Sequence, residues 1–127
     1  MLTKEEASKH YQIPMEILNA YERWGLCGAV KEVMGIWQYD DQDLEYLSTI
    51  MALHDMGFAP QEVERYMRLL ISDEDTAAER LRMLEKRRSA ALDEIHLKEK
   101  QLQRLDYLRY KMRTRKIQTE AAGKGAL

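Results

Sequence analysis

Between Thr76 and Ile117 the chain contains no glycine and no proline, and it is dense in Leu, Glu, Lys and Arg. A helix over this stretch would run for about 60 Å at roughly 1.5 Å per residue. That is several times the average helix, and a chain of 127 residues cannot wrap it. Leu81, Leu84, Ala91, Ile95, Leu102, Leu105 and Met112 fall on alternating three- and four-residue steps once Arg88, Lys98 and Arg109 are admitted to the same row. Such a spacing is a heptad seam, and Leu92 and Leu108 widen it on one flank. A second copy of the chain is the simplest cover for it; a helix folding back on its own head is the alternative. The sequence therefore predicts a homodimer before anything else about it is known.

The remaining length suits one small domain. We expect a head over residues 1–71, a coiled-coil dimerisation helix over 72–118 and a disordered tail over 119–127. Charge divides along the same line. Residues 1–70 carry six Lys and Arg against twelve Asp and Glu, a net of −6, whereas residues 71–127 carry fourteen against ten, a net of +4. No apolar run is long enough to span a membrane, and the N-terminus lacks the apolar segment of a signal peptide, so the expectation is a cytoplasmic protein with no membrane partner. Cys27 is the only cysteine, which excludes a disulfide framework within the chain.

Thr3 and Glu6 have the form of a capping box opening a short helix to about Tyr11. Pro14 suits the first turn of a second helix, which runs to about Trp24 with Ile13, Ile17, Leu18 and Tyr21 as its apolar stripe. Two short helices across a tight turn make a helix-turn-helix. Gly25 and Gly28 end that unit. Val30, Val33, Ile36, Trp37 and Tyr39, with Gly35 at a bend, suit a small hairpin or wing. Asp40 or Asp41 then caps a third helix, Gly57 takes a left-handed helix stop, and Pro60 opens a fourth helix carrying Val63, Met67 and Leu70.

In that order, four segments resemble the MerR family of bacterial transcription regulators. Ile17-Leu18-Asn19-Ala20-Tyr21-Glu22 followed by Gly25-Leu26 is similar to the family's second-helix run, and Gly35-Ile36-Trp37-Gln38-Tyr39 to its wing. Tyr39 to Leu47 is similar to its acidic helix start, and Met56-Gly57-Phe58-Ala59-Pro60-Gln61-Glu62-Val63 to its helix-pair turn. The resemblance implies a mainly α fold: a winged helix-turn-helix head followed by a long antiparallel coiled-coil helix. It further implies a dimeric regulator binding palindromic duplex DNA through the second helix and the wing, with RNA polymerase or another protein as a further partner. The residues it places at the DNA are Lys4, Lys9, His10, Glu16, Asn19, Arg23, Lys31 and Trp37.

Several of these depart from the family's habit. Arg is usual where Asn19 stands, Arg or another polar residue where Glu16 stands, Arg at the wing position of Trp37, and Gly at the turn position of Gln12. Asn19 can pair with an adenine edge and Glu16 can accept from cytosine, but Glu16 also repels phosphate. A helix-turn-helix with such substitutions and a net of −6 has a second reading, a non-enzymatic dimeric adaptor that docks a protein on its acidic head.

Other classes find little support. His10, His54 and His96 have no acid or thiol at useful spacing, and no phosphate-binding glycine loop or HExxH pattern is present. No catalytic residue, metal site or cofactor is expected. Metal-sensing relatives place cysteines at the coil, where this chain has none, and with so few residues after the coil the C-terminal domain of drug-sensing relatives is not expected. Any effector would have to use side chains such as Tyr66, Met67, Met83, Tyr107, Tyr110 and Met112, for which packing is the more ordinary role.

Overall fold

The computed structural model describes the backbone of residues 1–26, 32–33 and 36–125, and the side chains of 1–26 and 38–117. Its elements are β1 (Leu2–Thr3), α1 (Lys4–Tyr11), α2 (Met15–Trp24), β2 (Glu32–Val33), β3 (Ile36–Tyr39), α3 (Asp41–Asp55), α4 (Pro60–Ile71) and α5 (Ala77–Gly125). Among them the three strands form one antiparallel sheet in the order β1-β3-β2, with Leu2 opposite Tyr39 and Glu32 opposite Trp37. The hairpin expected from the sequence is β2–β3. The first strand has no counterpart in the sequence reading, because two residues ahead of a helix cap carry no periodicity.

Local chemistry fixes the helix ends. Thr3 Oγ1 accepts from the Glu6 amide at 3.1 Å, and Glu6 answers by accepting from that hydroxyl rather than from the Thr3 main chain. α1 stops at Gln12, whose φ of 55° and ψ of 39° are left-handed. The next amide, Ile13, donates back to the Ser8 carbonyl, and the Ser8 hydroxyl donates to the Ile13 carbonyl at 2.7 Å. Pro14 stands one position outside α2, as its N-cap, where its missing N–H costs no helical bond. Asp40 and Asp43 form a reciprocal capping box at the start of α3. α3 closes with Gly57 at φ 92°, Gly57 donating to His54 and Phe58 donating to Leu53, a Schellman stop with Phe58 and Leu53 both buried.

The core of the head draws on every helix before α5. Ala7, Leu18, Tyr21, Leu47, Ile50, Phe58, Val63 and Met67 are buried, with Tyr39 arriving from the sheet. Met83 and Leu84, from the first turns of α5, pack against this cluster. The compact unit accordingly runs Met1–Arg87, past the residue-71 boundary read from the sequence, and Arg88–Leu127 forms a second unit. Within the first unit, Thr76 ties the start of α5 to α4, its hydroxyl donating to the Leu69 carbonyl at 2.6 Å. The helix also continues to Gly125, where the sequence reading places a disordered tail from residue 119. Glu120, Ala121 and Ala122 are good helix formers and extend it.

Candidate nucleic-acid interface

An amphipathic helix exposes the residues one turn apart on the side opposite its core contacts. On α2 the inward residues are Leu18 and Tyr21, both fully buried, with Ile17 and Trp24 half-buried beside them. Spacing of three and four then puts Glu16, Asn19 and Arg23 together on the outer side, and all three are exposed. Lys9 and His10 are exposed on the last turn of α1, with the His10 ring set edge-on to Tyr11. The sequence-predicted contacts on α1 and α2 thus share an outward-facing helix-turn-helix, apart from Lys4.

Lys4 lies further inward. Its ammonium lies 3.0 Å from Glu22 Oε2, with both side chains mostly buried. The other oxygen of Glu22 accepts from the Tyr39 hydroxyl. Tyr39 is 1% exposed and forms the inner end of β3. One carboxylate therefore ties α1, α2 and the wing strand together. Next to it the Tyr21 hydroxyl donates to Asp43 Oδ1 at 2.7 Å, and the Tyr21 and Tyr39 rings lie 6.4 Å apart. Asp43 is the one buried acid among the described residues, and its second oxygen accepts from the Asp40 amide. Sequence reasoning missed both links. The aromatic-Glu pair on the second helix and the acid three residues into the third were visible, but which would meet depends on tertiary packing.

The far end of α2 is held from α4. Arg68 Nη2 donates to the Trp24 carbonyl at 3.0 Å while its Nε bonds Glu64 at 3.0 Å. A cation there meets the negative end of the α2 dipole. Between α2 and α4 lies a groove of about 720 Å³ lined by Glu16, Ala20, Arg23, His54, Gln61 and Glu64, among others. The outer side of α2 is thus open along one flank, and charges of both signs line it. Two predicted contacts cannot be placed. Lys31 lies outside the described residues, and Trp37 is located only by its backbone, in β3 opposite Glu32.

The model of the MerR HTH family regulatory proteins matches residues 2–70, more than half of the chain. The chain belongs to the MerR family. A curated relative, an uncharacterised HTH-type transcriptional regulator of Haemophilus influenzae, is 29% identical over 84 residues, covering 65% of this chain and 62% of its own length. Solved structures agree in fold. A MerR family regulator from Listeria monocytogenes superposes with a TM-score of 0.67 at 24% identity, over 84% of this chain and 82% of that one. HiNmlR, described as a MerR family regulator lacking the sensor domain and bound to promoter DNA, gives 0.61 at 25% identity, over 80% and 77%. A MerR family regulator from Bacillus thuringiensis gives 0.61 at 20% identity, over 87% and 97%.

Within this MerR head, the helix-turn-helix, hairpin and helix pair follow the expected order. The seam residues are less uniform. Leu84 is half-buried against the head core, whereas Leu81, Ile95, Leu102, Leu105 and Met112 are each more than half exposed in the single chain. Of the side chains suggested for an effector, Met67 is fully buried and Tyr66 and Met83 pack on the head core, so those three serve packing. Among the described residues no helix is long and apolar enough to cross a membrane.

Proposed function

We propose that this chain is a dimeric transcription regulator that binds palindromic duplex DNA through α2 and the wing. The observation that carries the reading is the outward face of α2. It stands clear of the head core and offers Asn19 and Arg23 at helical spacing, in a MerR head of the kind seen in HiNmlR with promoter DNA. In a helix-turn-helix the second helix enters the major groove and dimer geometry sets half-site spacing. Asn19 is the base-reading residue, Lys9, His10 and Arg23 position the phosphates, and Lys31 and Trp37 act from the wing. Glu16 restricts which sequences are accepted, since it tolerates a cytosine donor and opposes a phosphate. The exposed apolar row of α5 supports a homodimer, because a face of this length left to water favours association.

Family membership weighs against the adaptor reading, in which the same fold docks a protein on its acidic head. A titration of labelled duplex from the chain's own promoter, followed by fluorescence polarisation at low and moderate salt, separates the two. Regulator function predicts an affinity that falls steeply with salt. No salt-sensitive binding at micromolar protein would overturn it.

A further inference from the structure

A second groove of the head lies beside the turn between α1 and α2. It has a volume of about 540 Å³, and Tyr11 and Ile13 from the turn face Leu44, Met51 and Ala52 of α3 across it. The left-handed backbone of Gln12 bends the chain between Tyr11 and Ile13, and both side chains line the groove. α3 has its core side elsewhere, where Leu47, Ile50 and Leu53 are buried. Leu44 and Met51 are seven positions apart, hence on one face, and are only half-buried. Tyr11 is 51% exposed. An apolar strip of this kind with a polar rim is the usual form of a protein-docking surface.

The rim says what the occupant must carry. Both charged residues of the groove are acids, Glu45 and Asp55. They stand ten positions apart on α3, about 15 Å at the helical rise of roughly 1.5 Å per residue. Glu45 has the neutral Gln42 amide at 3.4 Å, and among the described residues no cation pairs with either acid. The groove between α2 and α4 differs, because there Arg23 and Arg68 stand beside Glu16 and Glu64.

An occupant matched to this surface has apolar side chains set between cations. Strand addition requires a free sheet edge, whereas these walls are a helix and a turn, so a helix laid in the groove is the mode that fits. Two cations seven positions apart on such a helix are about 10 Å apart, and their long stems span the remaining distance to the two acids.

We propose that this groove docks an amphipathic helix of another protein, its apolar side chains against Tyr11, Leu44 and Met51 and its Lys or Arg residues on Glu45 and Asp55. The inference goes beyond the regulator reading. Glu16, Asn19 and Arg23 lie outside the groove, so DNA and protein would occupy separate faces of one head. In the adaptor reading, by contrast, a protein takes the place of DNA.

The probe is a fluorescein-labelled helical peptide with Leu residues at one-turn spacing and two Lys residues seven positions apart. It is titrated with the full-length protein and followed by polarisation. Binding at micromolar protein is expected, weakened about tenfold by Glu45→Lys with Asp55→Lys. Glu45→Gln with Asp55→Asn should weaken it in the same direction, which keeps the test open if the charge reversal unfolds the head. A sister peptide with Ala for each Leu should bind about tenfold more weakly than the first. No binding of the first peptide would overturn the proposal. Equal binding of both peptides would overturn it too, by reducing the contact to general charge attraction. Reversal of Asp73 and Glu74, exposed acids outside the groove, should leave binding unchanged, and a matching loss there would overturn the site. If reversal of Glu45 and Asp55 changes the sedimenting mass of the protein alone, the groove serves contact between copies and the proposal falls. Promoter duplex titrated with peptide-saturated protein should keep its affinity, and competition would overturn the separation of faces. Absence of DNA binding with and without peptide would count against the regulator reading alone.

Discussion

The Tyr39 hydroxyl, at the inner end of the wing strand, donates to Glu22, the neighbour on α2 of the outward-facing Arg23. A strand and the helix it accompanies are thereby joined through a single acid, whose other oxygen is occupied by Lys4. Disturbing that acid should alter the wing and the helix together.

Tyr39→Phe keeps the buried ring and removes only the donor. It should lower stability by about 1 kcal/mol, the net worth of a typical hydrogen bond with some addition for the charged acceptor. Urea unfolding followed by circular dichroism checks this. An unchanged midpoint would mean that the carboxylate is satisfied without Tyr39.

Lys4 and Arg23 should behave differently under salt, although both are head cations. Arg23→Ala should weaken promoter binding and reduce the slope of log affinity against log salt by roughly one for each phosphate that the arginine neutralises. Lys4→Ala should instead lower stability, because it strips a mostly buried Glu22 of its cation, and should leave the salt slope near that of the parent. Equal slope changes in both variants would contradict this division of labour.

Tyr21 and Asp43 provide a two-residue test of the buried network. Asp43→Ala alone removes the carboxylate that accepts from the Tyr21 hydroxyl and the Asp40 amide and should cost about 2–3 kcal/mol. Pairing it with Tyr21→Phe should recover part of that loss, since removing both partners is cheaper than stranding one. Thermal melts of the two single variants and the double variant give the coupling directly.

Gln12 is the one non-glycine residue among the described residues with positive φ. Left-handed backbone costs an L-residue roughly 1 kcal/mol that glycine avoids, offset in part by the greater freedom of glycine in the unfolded chain. Gln12→Gly should therefore raise stability by about 0.5 kcal/mol, and Gln12→Val should lower it by more than that, both read from chemical unfolding.

What the sequence disclosed and what it withheld divide by range. Thr3, Asp40, Gly57 and Pro60 announce helix ends because capping chemistry is local, and the structure uses each of them within one residue of the expected place. Glu16, Asn19 and Arg23 share an exposed face because a period near 3.6 puts them there. Lys4 reads as a DNA contact because it is cationic and near the first helix, yet its partner is eighteen positions away, and only the packed head brings Glu22 to it. Arg68 and Trp24 are similarly distant, and a helix-end carbonyl gives no sign in sequence that a side chain will seek it. The head ends later than composition suggests because Met83 and Leu84 sit in or beside a heptad row and also serve a second, globular packing that a periodic pattern does not reveal.

That double duty has a bearing on how the molecule is made. In a growing chain the head cannot complete its core until Leu84 has left the ribosome, by which time most of the polypeptide has been synthesised. At the usual ~5–20 residues per second the remainder follows within a few seconds. A fragment released before Leu84 would keep part of its core open to solvent and become a substrate for proteases and chaperones, whereas a chain stopped soon after Arg87 would carry a finished head. Premature termination on either side of this short interval would thus have opposite fates: early products are cleared, and later ones persist as heads without the exposed apolar row of α5.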